Sequence, residues 1–157
     1  MEALSELRQA HRTAALIVGG LITGLVMYAV IANVFRVTQV PFAGVASLSE
    51  AQIRLARYAA WITSALVVVA LPAFRRVLLR RRPGDTRATA IARLTLTTVA
   101  VGGLSEFPAV AGFVLVILSG LFLDFYLLGS LSLVLLLANF PRYEAWEEWL
   151  AAPAPRP

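Results

Sequence analysis

LTLTTVAVGGLSEFPAVAGFVLVILSGLFL, residues 94–123, carries a single charge, Glu106. A helix rises about 1.5 Å per residue, so about 20 apolar residues cross a hydrocarbon core of about 30 Å. The run exceeds that length, with Glu106 near its middle. A charge at that depth costs from about 3 to more than 10 kcal/mol. A side chain under such a penalty is neutralised, paired or functional. The run therefore sets both the fold class and the first candidate site.

Three more apolar runs flank it. Thr13 to Phe35 is uncharged and bounded by Arg12 and Arg36; Tyr58 to Phe74 is bounded by Arg57 and Arg75; Phe125 to Pro141 follows Asp124 and ends at Arg142. The second and fourth runs are near the lower limit for a span, and their flanking arginines can snorkel to extend it. The expectation is an all-α integral membrane bundle of four transmembrane helices, at about 13–35, 56–75, 92–120 and 124–141. These make one domain, 1–142, followed by a segment at 143–157. Glu2 and Glu6 before the first run, and no small-x-small site after it, favour a retained helix over a cleaved signal peptide.

Composition agrees. Of 157 residues, 59% are hydrophobic, against about half in soluble domains. The net charge is +5, from 14 arginines and no lysine. These arginines lie mainly between the apolar runs, where they set orientation and do not form a nucleic-acid footprint. Residues 75–93 hold seven arginines against one acid, Asp85, whereas 36–57 hold three. By the positive-inside rule the arginine-rich loop, 75–93, is cytoplasmic, and so are both termini. The inferred location is the bacterial inner membrane. Arg75, Arg76, Arg80, Arg81 and Arg82 are the topology determinants and candidate contacts for anionic headgroups. The chain has no cysteine and one histidine, His11, placed in the N-terminal tail. Neither a metal centre nor a cofactor is expected, nor an enzyme, because no nucleophile–base pair or phosphate loop is present.

The connections follow from local chemistry. Ser47 or Ser49 is positioned to cap the second helix, with Glu50 in its first turn. Pro83-Gly84 marks the inner turn. A short turn around 119–124 makes the third and fourth helices a tight hairpin, with Asp124 read as a solvated turn residue. Tyr143, Trp146 and Leu150 recur at helical spacing, as in an interfacial helix with aromatics at headgroup level, before a disordered tail. Gly20 and Gly24 form a small-xxx-small pair; Gly102, Gly103, Ser105, Ala109 and Gly112 give the third helix a thin face for packing.

Around Glu106 the sequence suggests a polar notch. Pro108 removes an amide and frees the carbonyl of Leu104, so a local kink is expected. Gly102 and Gly103 thin the helix one turn earlier. Thr23, Thr63, Ser64, Ser130 and Ser132 fall at similar depth on the other helices, with Tyr28 a turn further out. A protonated carboxyl can donate to one such oxygen and accept from another. Glu106 is thus either a buried, protonated hydrogen-bonding group or a reversible proton or ion site.

The third helix resembles the carboxylate-bearing helix of the c subunit of rotary ATP synthases. Thr97, Thr98, Gly102, Glu106, Val110, Gly112 and Val114 follow that pattern in order, and Arg81 and Pro83 match its short arginine-x-proline loop. The likeness covers one helix and a loop; the second helix lacks the glycine repeat of the c-subunit ring. The whole chain is similar to small four-helix bacterial membrane proteins labelled c-subunit-like. The resemblance implies proton or sodium handling with Glu106 as the binding carboxylate. The residues themselves imply an accessory or structural membrane protein, packing with lipids, with copies of itself or with other membrane subunits.

Overall fold

A computed structural model describes residues 2–81 and 84–152. Among these the chain is all helical: α1 (Glu2–Thr38), α2 (Glu50–Leu78), α3 (Arg87–Ser119), α4 (Phe122–Ala138) and α5 (Tyr143–Ala151). Three of them, α1, α2 and α3, are long and apolar enough to cross a membrane. Helix α4 is shorter, and α4 and α5 reach the length of a fourth crossing when they are taken together across their 50° bend. The 17 residues of α4 alone reach about 25 Å.

Helices α1 and α2 outrun their apolar stretches at both ends and α3 does so at its start, while α3 ends at Ser119, one residue before the expected bound. Hydropathy reports where lipid would be tolerated, but helix ends are set by caps and propensity. His11 is accordingly part of α1 and not of a tail. Ser49 caps α2: its Oγ accepts from the Gln52 amide and the Gln52 side chain accepts from the Ser49 amide. Thr86 Oγ1 accepts from the Thr89 amide at the start of α3. Gly120 ends α3 in the left-handed region, φ 67°, with its amide donating to the Val116 carbonyl. Arg82 and Pro83 of the expected turn, and residues 153–157 of the expected tail, lie outside the described residues.

Helix α3 is the axle. Of its most apolar stretch 44% is buried, against 17% for α1 and 11% for α2. It packs against α1, α2 and α4, whereas α2 and α4 barely meet. Its small residues make this possible. A methyl group at Gly102 would stand 3.1 Å from Leu21 Cδ1 on α1, and one at Gly112 only 3.0 Å from Phe125 Cα on α4. Gly103 and Gly20, by contrast, face open space. The surface left over is strongly apolar: Leu55, Ile62, Leu66, Val69 and Val77 of α2 are all exposed.

The connection between α1 and α2 folds over the α3–α4 turn. The Val45 amide donates to the Ile117 carbonyl (2.8 Å), and Gly44, at φ 95°, lies against the Leu118 carbonyl. At the opposite end α5 docks on α1 and α3. Trp146 is buried with Leu7, Ala14, Ile91 and Leu94, so its indole is packed inside the bundle and not laid out on the surface of an isolated amphipathic helix. His11 helps to seat it: Nε2 lies 3.1 Å from the Pro141 carbonyl, and the ring meets Tyr143 and Trp146 edge-on.

Candidate functional site

Glu106 sits half-buried at the α1–α3 boundary. Its Oε1 accepts a hydrogen bond from the Tyr28 hydroxyl at 3.1 Å. Gly24, one turn before Tyr28 on the same face of α1, leaves room for the carboxyl, since a methyl there would lie 3.4 Å from Oε1. The Tyr28 ring stacks on Phe113 of α3, centroids 5.1 Å apart, which fixes the direction of its hydroxyl. The partner of Glu106 is therefore a phenol.

The hydroxyls expected around it are engaged elsewhere. Thr23 donates to the Gly19 carbonyl, Thr63 to Ala59 and Ser64 to Ala60, each within its own helix. A serine or threonine four residues beyond a carbonyl can always do this, and in an apolar setting the local bond forms first. Ser130 is exposed. Ser132 alone reaches α3, and it meets backbone: its Oγ accepts from the Ala109 amide at 2.8 Å and donates to the Glu106 carbonyl at 3.3 Å. These groups flank Pro108, and α3 continues through the proline as one helix. Ser132 thus serves the interrupted backbone beside Pro108, not the carboxyl.

A second polar cluster lies toward the α3–α4 turn, and sequence reasoning assigned it to solvent. Asp124 is buried, 2% exposed. Its Oδ1 accepts from Arg57 Nε at 2.9 Å and from Trp61 Nε1 at 2.7 Å. Two signals were available: Arg57 and Trp61 are one turn apart, so they share a face of α2, and Asp124 opens an otherwise uncharged run. The pair ties α2 to α4, which otherwise hardly touch.

The third cluster is at the arginine-rich end. Arg81 donates to the Trp149 and Ala152 carbonyls and lies over the Trp149 ring, 4.3 Å from its centroid. Arg93 pairs with Asp85 at 3.0 Å and reaches the Arg80 carbonyl. Arg81 therefore holds the C-terminal end of α5, a structural duty added to any role in orientation. Arg75, Arg76 and Arg80 are exposed. Arg82 lies outside the described residues.

Among the described residues no three acids or histidines converge as metal ligands. Comparison with known protein families, with curated proteins and with solved structures finds no match for this chain. What the arrangement can do chemically follows from the three clusters alone: one carboxyl hydrogen-bonded across α1 and α3, one ion pair across α2 and α4, and a basic end closed by α5.

Proposed function

We propose that the chain is a small accessory or structural protein of the bacterial inner membrane, without enzymatic chemistry of its own. It crosses the bilayer four times, with α4 as the shortest span and both termini cytoplasmic. It packs as copies of itself or against other membrane subunits, and Glu106 acts within it as a buried, protonated hydrogen-bonding group. The observation that carries this reading is the Tyr28–Glu106 bond. The carboxyl meets one phenol and a glycine, while Thr23, Thr63 and Ser64 bond within their own helices. An ion stripped of water needs several oxygens, as hard cations do; a carboxylic acid joining two helices needs one partner. The exposed apolar flank of α2 suits lipid or a neighbouring subunit.

Glu106→Gln keeps a hydrogen-bonding side chain but cannot titrate. The expected result is a folded protein within about 1 kcal/mol of wild type, with its assembly in mild detergent unchanged. A cycle of Glu106→Leu and Tyr28→Phe should give a coupling of about 0.6–1.7 kcal/mol by thermal unfolding in micelles. If proton or sodium flux in vesicles disappears in Glu106→Gln while folding survives, the ion-handling role implied by the c-subunit resemblance replaces this one. Carbodiimide labelling of Glu106 that sodium blocks would point the same way.

A further inference from the structure

A cavity of about 270 Å³ opens at the arginine-rich end, where α5 folds back beside the ends of α2, α3 and α4. Arg75 and Arg142 line it, together with Thr97, Thr98, Asn139 and Trp146; among the described residues no carboxylate does. Thr97 is 3% exposed, and its hydroxyl has no hydrogen-bond partner among the described residues. A buried hydroxyl left without a partner is uncommon, and its free energy improves with any group that can pair with it. Two guanidinium groups and an unmatched hydroxyl around one chamber favour an anion with several acceptor oxygens.

A second hollow continues from the first. It measures about 680 Å³ and shares Arg75, Leu79 and Asn139 with the cavity, then runs between α2 and α4 along Val68, Leu71, Pro72 and Leu135. Its far walls are apolar. The gap exists because α2 and α4 are joined chiefly at their other end, through Arg57 and Asp124.

We propose that the cavity and groove together form a binding site for one anionic phospholipid. The phosphate occupies the chamber, paired with Arg75 and Arg142 and accepting a hydrogen bond from Thr97. An acyl chain lies in the groove between α2 and α4. The indole of Trp146 forms the wall at headgroup level, and Arg81, by holding the end of α5, keeps that wall in place. The site rests on the membrane reading above but not on any role for Glu106. A soluble phosphate compound would share the headgroup chemistry but leave the groove empty.

The test uses the full chain purified in a neutral detergent, with native mass spectrometry and thermal unfolding as readouts. Phosphatidylglycerol should remain as a one-to-one adduct and raise the unfolding temperature, whereas phosphatidylcholine should bind about tenfold more weakly. Arg75→Gln/Arg142→Gln should lose about tenfold in phosphatidylglycerol affinity. Thr97→Val, which keeps the shape of the side chain, should lose about threefold with the helical content unchanged. Arg36→Gln/Arg54→Gln, near the other end of the bundle, should bind like wild type. Equal binding of the two lipids overturns the proposal, as does full affinity in Arg75→Gln/Arg142→Gln. Stabilisation by inorganic phosphate alone, with no lipid adduct, also overturns it in favour of a soluble ligand. A protein that stays monodisperse without any amphiphile would instead refute the membrane reading, a result independent of these arms.

Discussion

Gly120→Ala should lower the stability of the bundle by about 2–5 kcal/mol. Two costs combine. Gly120 has φ 67°, a conformation that costs about 1–2 kcal/mol for a residue with a side chain. The new methyl would also collide with the Phe42 backbone carbonyl, because the α1–α2 connection lies directly over the turn. Relief requires that connection to lift, which breaks the bond from the Val45 amide to the Ile117 carbonyl. Gly84 provides the control. It too has positive φ, 89°, yet among the described residues nothing beyond its chain neighbours stands within 4 Å of the position its methyl would take. Gly84→Ala should therefore show the strain alone, about 1–2 kcal/mol. Unfolding of the two variants in one detergent separates the collision from the strain. Equal losses would mean that the connection does not rest on the α3–α4 turn.

Arg57→Ala is the second large effect, about 2–3 kcal/mol. Removing one partner of a buried pair strands the other, and Asp124 is 3% exposed at its side chain. The loss falls below the full range for buried pairs because Arg57 is itself 51% exposed and partly screened. Trp61 continues to donate to Oδ1, which limits the damage further. Asp124→Asn should cost less than Arg57→Ala, because the amide oxygen still accepts from the indole while the charge has gone. Arg57→Ala/Asp124→Asn should then recover part of the single Arg57→Ala loss. Thermal unfolding of the three variants checks the order. Arg57→Ala indistinguishable from wild type would mean that Asp124 is solvated after all.

The polar features of the chain differ in how readily they could be read. A cap at Ser47 or Ser49 was legible because its chemistry is local, a hydroxyl just before a helical run; the structure gives it to Ser49. Glu106 was legible as an anomaly because one charge in a long apolar run needs no knowledge of neighbours. Its partner was not. Tyr28 stands a turn from the depth assigned to Glu106, yet a tyrosine side chain is long enough to cover that turn. Gly24, at the same face, was the clue. Asp124 was misread because its position at a turn suggested water, and only the approach of α2 takes that water away.

Residue by residue, hydropathy and punctuation were enough for an all-helical chain, for three long apolar helices, for the basic end and for the anomalous carboxyl. These depend on the solvation and backbone preference of each residue in isolation. How far each helix turns about its own axis was not written there. Helices α3 and α4 are apolar almost all round, so no polar stripe marks their inner faces. That rotation was settled by packing, through the close approaches at Gly102 and Gly112. It brought Tyr28 to Glu106, turned Ser132 to the backbone beside Pro108, and left Thr97 facing a cavity without a partner.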